Sequence, residues 1–457
     1  TEDAFPLDAT EWADSDGDGI GNNADADNSS KSIAYLMTTP TSVNRTFVHI
    51  VNSSDVAQEF RGNLYGGDGT RVGTADAPLH NGAVPSKGRV IIESSDLLSL
   101  FNIDPWSGPA MLEISGSLQF DLMTKLTSPS GLISNTNCVR QDEVHNLEGF
   151  DSSNVTFIRF INIGDETLTN IRGSVRDPAG NIVGEGDVEL IAELRPKQAV
   201  WLNRTNIKNL IGQTWDGTAS LRTSVPMPNL RLLNLNYVNG ETFFNFSCFE
   251  SEDSGRVYLM TNSASNNVSE THVINTGESV SSISGSLYSG AGEELGSGVI
   301  ASDIPPGGRA IFSATDLEQA LGAETWRGPA MLELESEQTF NLMTRLTSPS
   351  GLVSNTNCVR QDNVHNIEGS DSSDMTYVRL INQGTSTISD IRGTLYDPSG
   401  QVVGNADQQL LSSLAQKEQV WLNRTNFEEI FGSMWTGEAN LNVSAANDQE
   451  LRLLNLN

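Results

Sequence analysis

The residues best spaced to do chemistry lie near the start of the chain. In Asp14-Ser-Asp-Gly-Asp-Gly19 three carboxylates alternate with small residues, so Asp14, Asp16 and Asp18 can turn inward around one hard cation while glycine lets the backbone wrap it. The Ile20 carbonyl, Asn22 and Asp25 then fall where such a loop places its seventh, ninth and twelfth ligands, and Ca2+ is the expected occupant. An Asp in place of a bidentate Glu at the last position, and the lack of amphipathic flanking helices, speak against a calcium sensor.

Three cysteines, Cys138, Cys248 and Cys358, follow one another at intervals of 110 residues. An extracellular setting would make them disulfide candidates, with an odd count pointing to an intermolecular or missing partner. Pairing of Cys138 with Cys248 requires the domains that carry them to face one another, since a disulfide spans only ~6 Å between Cα atoms. Cys138 with His145, and Cys358 with His365, have the residue types of a thiol nucleophile and its base. No helix N-terminus is expected to depress the thiol, and Cys248 stands in Phe246-Ser-Cys-Phe-Glu250 with no histidine, so a structural cysteine is favoured over catalysis. His49 and His272 occupy matching places on alternating strands, and the histidine spacing provides no zinc set. Trp201 and Trp421, in two copies of VWLNRTN, could stack sugar rings. They align with Ile91 and Ile311, which equally suits an apolar core position.

These residues sit in a repeat. Trp106–Gly149 recurs at Trp326–Gly369, a shift of 220, with about three quarters of the positions identical. A weaker repeat of about 110 is marked by RGNLYGGDG, RGSVRDPAG, SGSLYSGAG and RGTLYDPSG, beginning at Arg61, Arg172, Ser284 and Arg392, and by W-x-G-x-A at Trp106, Trp215, Trp326 and Trp435. The order is A–B–A′–B′. One tryptophan per unit at one position reads as a core residue.

Each unit carries strands of period two, such as Val155-Thr-Phe-Ile-Arg-Phe-Ile-Asn162, and hairpin turns such as Asp177-Pro-Ala-Gly180. A short helix follows, with Thr315-Asp-Leu-Glu318 as a capping box, Ser95, Thr205 and Thr425 in the same place, and ends near Asn102, Gly212, Gly322 and Gly432. The expected fold is all-β: four tandem immunoglobulin-like β-sandwiches, each with one short helix, behind an acidic calcium-binding linker. The expected boundaries are 1–31 for the linker, 32–149 for A, 150–253 for B, 254–369 for A′ and 370–457 for B′. Leu453-Leu-Asn-Leu-Asn457 matches Leu232-Leu-Asn-Leu-Asn236, after which B runs on to Cys248, so B′ is expected to lack a last strand.

The opening segment, Phe5-Pro-Leu-Asp-Ala-Thr-Glu-Trp-Ala-Asp-Ser-Asp-Gly-Asp-Gly19, resembles a thrombospondin type 3 repeat and the linkers of secreted proteins of marine gammaproteobacteria. The resemblance covers about thirty residues and implies a calcium-stiffened spacer in a secreted or cell-surface protein.

The chain of 457 residues carries 58 Asp and Glu against 27 Lys and Arg, a net charge of −31, which disfavours nucleic acid and anionic lipid as partners. No apolar run reaches the ~20 residues of a membrane span. The Thr at position 1 suggests a processed form. Taken together, these features point to a non-enzymatic extracellular structural or adhesive protein. The expected form is a rod of domains that self-assembles when a neighbouring chain adds a strand to the open edge of B′. The alternative is a carbohydrate-binding accessory region of a secreted polysaccharide-degrading enzyme, with polysaccharide as the partner.

Overall fold

The computed structural model describes residues 30–129, 133–135, 143–238, 242–245, 251–349, 353–355, 363–446 and 450–456. The expected calcium ligands Asp14, Asp16, Asp18, Ile20, Asn22 and Asp25 and the three cysteines lie outside these residues.

Unit A contains β1 (Ser30–Leu36), β2 (Arg45–Asn52), β3 (Phe60–Gly66), β4 (Arg71–Pro78), β5 (Arg89–Glu93), α1 (Asp96–Phe101), β6 (Ala110–Gly116), β7 (Phe120–Thr127) and β8 (Ile133–Asn135). They form two antiparallel sheets ordered β1-β6-β3-β4 and β5-β2-β7-β8. Unit B repeats the plan with β9 (Glu143–Glu148), β10 (Val155–Asn162), β11 (Leu168–Arg176), β12 (Val188–Leu194), β13 (Ala199–Asn203), α2 (Arg204–Ile211), β14 (Thr218–Thr223), β15 (Leu230–Val238) and β16 (Thr242–Asn245). Its sheets run β12-β11-β14-β9 and β13-β10-β15-β16.

Unit A′ has β17 (Ser251–Leu259), β18 (Val268–Asn275), β19 (Ser281–Ser289), β20 (Glu294–Ile304), β21 (Arg309–Ser313), α3 (Ala314–Leu321), β22 (Ala330–Thr347) and β23 (Val353–Asn355). Here the 18-residue β22 passes from one sheet into the other and so links them. Unit B′ has β24 (Asn363–Glu368), β25 (Tyr377–Asn382), β26 (Ile388–Tyr396), β27 (Gln408–Leu414), β28 (Gln419–Asn423), α4 (Arg424–Phe431), β29 (Glu438–Ser444) and β30 (Leu451–Leu456). Its sheets are β24-β29-β26-β27 and β28-β25-β30. The short strands β8, β16 and β23 flank β7, β15 and β22, whereas β30 is the outer strand of its sheet among the described residues.

Alternation drives this layering. Ile158 and Phe160 on β10 face the core of B with Val175, Leu221 and Leu232, and each of the four units has its own cluster of this kind. Trp215, Trp326 and Trp435 are buried in those cores and Trp106 packs on the fourth, as a repeated core tryptophan requires. The Asp177–Gly180 turn forms with Gly180 at φ +82°, and its amide is held by the Asp177 carbonyl at 2.9 Å.

Three expectations shift. The linking strand β9 inserts Val144 and Leu147 into the core of B, so B starts at Glu143 rather than 150, and β24 likewise opens B′ at Asn363 rather than 370. The capping boxes lie two residues earlier than placed, on Asn203 with Asn206, Ser313 with Asp316, and Asn423 with Asn426, because the preceding strand hands its last residue directly to the helix. The left-handed ends at Asn102, Gly212, Gly322 and Gly432 fall where expected.

The units do not form a row. In every unit the first hairpin turn docks on the turn before the fifth strand of the next unit, through one main-chain hydrogen bond. The Ala199 amide donates to the Gly67 carbonyl at 3.0 Å, Arg309 to Pro178 at 2.8 Å, Gln419 to Gly290 at 2.9 Å, and Arg89 to Pro398 at 2.8 Å. The donors are 110 residues apart, and the last contact brings B′ back to A. The expected rod is therefore replaced by a closed ring. A heterologous contact repeated with the right rotation closes on itself, and here four repeats suffice.

Candidate functional site

The chemistry-bearing side chains that the structure describes converge on the four seams of this ring, and each seam contains one buried arginine. Arg159 on β10 and Arg379 on β25 occupy outward-facing positions on strands whose inward residues fill the cores, so docking of the neighbouring sheet covers them completely. Arg89 and Arg309 begin β5 and β21 and are covered in the same way at the other two seams.

The seams fall into two kinds. Between A and B the contact is apolar: Tyr35, Met111, Ile161, Leu233 and Leu235 are buried together. Arg159 crosses it to donate to the carbonyls of Leu36 at 3.3 Å and Ala110 at 3.0 Å, with no carboxylate beside it among the described residues. Burial lowers its guanidinium to about 10, against a small pull from Tyr35, so it remains charged at neutral pH. Tyr35 is pushed up to about 12, chiefly by burial. The A′–B′ seam copies this with Tyr258, Met331, Ile381 and Leu454 around Arg379, which donates to Leu259 at 3.3 Å and Ala330 at 2.9 Å. At the rims Lys197 meets Glu113 at 3.3 Å, and Lys417 meets Glu333 at 2.6 Å.

The B–A′ and B′–A seams are polar. In the first, Arg309 donates to Thr218 Oγ1 at 3.0 Å, Ser220 Oγ at 2.8 Å and the Ala219 carbonyl at 3.2 Å, while Asn341 donates to Glu143. In the second, Glu438 and Asn440 stand where B has Thr218 and Ser220, and the seam is ionic. Glu438 accepts from Arg89 at 2.7 Å and Lys125 at 3.0 Å and lies 3.2 Å from His49 Nδ1. Arg89 also donates to Asn440, and His365 Nε2 lies 2.9 Å from Asp121 Oδ2. Burial would raise the Glu438 carboxyl, but hydrogen bonding and charge from His49, and the charges of Lys125 and Arg89, hold it down at about 2. Burial keeps His49 below its ordinary value against the pull of Glu438, and it brings His272, the matching residue of A′, to about 4. A shallow cleft opens on this seam, lined by Lys87, Asp121, His365, Tyr396 and Asn440.

Trp201 and Trp421 border the apolar seams with half-covered rings. They meet Phe157 and Tyr377 edge-on at 6.3 and 6.2 Å, and the Arg159 and Arg379 guanidiniums lie 6.0 and 5.6 Å from their ring centres. Their counterparts Ile91 and Ile311 are each 42% exposed, so this is not the core position that the Trp-for-Ile exchange suggested. His365 is drawn to Asp121 across a seam, and the Cys138, Cys248 and Cys358 expectations fall outside the described residues, as does the His145 side chain. Among the described residues no three His, Cys, Asp or Glu side chains gather as a metal site. Sequence reasoning passed over the four arginines. The available signal was a charged residue at an outward position flanked by outward apolar ones, as in Phe157-x-Arg159-x-Ile161, which marks a face that another domain covers.

No known protein family and no curated protein matches the chain. Among solved structures, it is similar at 10% identity to an alpha-L-rhamnosidase of Streptomyces avermitilis complexed with L-rhamnose, over 88% of this chain and 54% of that one, with a TM-score of 0.15. The chain thus spans about half the length of the rhamnosidase. It is similar at 8% identity to the BSP domain of a biofilm associated protein, over 90% of this chain and 89% of that one, with a TM-score of 0.14. Such scores fall well below those of a shared arrangement, and no function is drawn from them.

Proposed function

We propose that the chain is a non-enzymatic extracellular structural or adhesive module, a ring of four sandwiches carried on a calcium-stiffened acidic spacer at residues 1–31. The observation that carries this reading is the use made of its charged and aromatic side chains. Arg89, Arg159, Arg309, Arg379, Glu438, His49, Lys197 and Lys417 are engaged in holding domain to domain. That is how side chains are deployed in a rigid scaffold, which presents its outer loops while its interior is closed. The net charge of −31 suits a soluble, cation-rich exterior. No helix among the described residues is long and apolar enough to cross a membrane. Beads coated with the chain should be retained under flow on a solid or glycan surface, and less so after calcium chelation. Retention no better than that of albumin-coated beads would overturn the proposal.

A second reading has one observation in its favour. The Phe157–Trp201 and Tyr377–Trp421 pairs are half open and occur once in each B-type unit, a spacing suited to two sugar-stacking platforms. Affinity electrophoresis in soluble polysaccharides tests it, with retardation expected to vanish in Trp201→Ala/Trp421→Ala.

A further inference from the structure

We infer that the seam between B′ and A is a clasp that opens and re-forms in trans with a second copy of this chain, exchanging the closing contact between molecules. This goes beyond the adhesive reading and stands without it, since exchange is measured in solution and adhesion on a surface.

Three observations carry the inference. First, the other three seams join units that are consecutive in the chain, whereas B′ and A, among the described residues, are held only by non-covalent contacts. Opening that seam leaves the four units joined through the chain, free to turn at their linked seams. Second, its makeup sets it apart. The A–B and A′–B′ seams bury tyrosine, methionine, isoleucine and leucine, whereas the B′–A seam is built on Glu438 with Arg89, Lys125 and His49, and on Asp121 with His365. Ionic contacts recover their solvation when they part, and apolar ones do not, so this seam opens more easily than the two apolar ones. Third, the B–A′ seam shows that a B-type unit docks on an A-type unit through the same Arg-to-Pro main-chain bond, at 2.8 Å in both cases. An opened chain therefore exposes a B′ face and an A face that fit one another and fit the same faces of another opened chain. Glu438 occupies the place of Thr218 in B, so at this position the exchangeable seam has a carboxylate where its internal copy has a hydroxyl. On the A side, Asp121, which meets His365, has Asn341 as its counterpart in A′, and that pair favours B′ on A over B′ on A′.

The contact pattern also says how copies would join. Two opened chains satisfy every face as a ring of eight units, with two B′–A seams in trans, once the linked seams turn through a smaller angle than the four-unit ring requires.

The test is charge-swap complementation in reductant, which removes any contribution from the cysteines. Glu438→Lys places a cation against Arg89 and Lys125, and Arg89→Glu/Lys125→Glu places anions against Glu438. Each variant alone should remain a monomer and sediment more slowly than the parent, as an opened ring. A 1:1 mixture pairs the introduced lysine with the introduced glutamates, and the native Glu438 with the native Arg89 and Lys125. It should form a species of twice the chain mass that neither variant forms by itself. A mixture that stays monomeric overturns the inference, as does either variant keeping the compact parental sedimentation. Should charge reversal unfold B′, Glu438→Thr, which installs the residue B has at 218, replaces it. Donor- and acceptor-labelled chains of that variant should exchange partners faster than the parent, and no energy transfer between them overturns the inference.

Discussion

At the scale of single residues, the seams make opposite demands on charge. Among the described residues Arg159 has no acid beside it, and its value to the fold is the pair of carbonyls it satisfies, Leu36 and Ala110. Arg159→Ala leaves those carbonyls and a cavity behind and should cost about 3 kcal/mol in denaturant unfolding, within the usual span for losing a charged hydrogen-bond partner and its volume. Arg159→Met keeps the volume and removes the desolvated charge, so it should cost less than the alanine variant. The histidines set a pH dependence. His272 is held at about 4 against an ordinary 6.5, and His49 is displaced in the same direction, so the open seam takes up protons that the closed seam refuses. The contribution is fully present above pH 6.5 and is lost as pH falls through the lowered values. Glu438, held at about 2, adds a further loss below the ordinary glutamate value of 4.5. Sedimentation should therefore show the ring expanding as pH drops from 6.5 to about 4, and His49→Gln/His272→Gln should remove that early step.

Among elements, the docking hairpins decide whether the units meet. Gly69 and Gly212 share the left-handed conformation, at φ +82° and +76°. A Cβ on Gly69 would lie 2.3 Å from the Pro196 carbonyl of the next unit, whereas one on Gly212 would meet nothing within 4 Å. Both alanine variants bear the backbone cost of ~1 kcal/mol, but only Gly69→Ala should also loosen the A–B seam, read as faster proteolysis between the units. Period-two patterning and the Asp-Pro-Ala-Gly and Asp-Pro-Ser-Gly turns made the strands, hairpins and helix ends legible, because each is a local demand on the backbone. Ser95 sits at the N-cap of α1 where it was read. The other three caps were placed two residues late, because Asn203, Ser313 and Asn423 at the ends of the preceding strands do the capping, with Asn or Asp rather than Glu three residues on. The Ile91 and Trp201 positions misled for a different reason. Alternation tells which face a residue takes, but the outward face of one unit can be the inward face of a seam.

At the scale of the whole molecule, ring closure left no side-chain signature in the sequence. Its recurring bond joins main chain to main chain, its receptors read PSKG, RPKQ, PPGG and AQKE, and its last partner is some 310 residues away from Arg89. The four-unit repeat was legible, and the number four gains a physical reason only when the contacts close. A closed ring also separates two stabilising systems. The described residues contain no cluster of three metal-ligating side chains, and their stability rests on four apolar cores and four seams. The alternating carboxylates of the proposed calcium loop precede Ser30, where the first strand among the described residues begins. Chelation should therefore leave the main calorimetric transition within about 1 °C of its calcium-loaded value, less than a ~1 kcal/mol change would produce. Calcium titration should release heat in the parent and none in Asp14→Asn/Asp16→Asn. A main transition that falls by several degrees on chelation would place calcium within the ring itself, and the spacer would then not be where the ion acts.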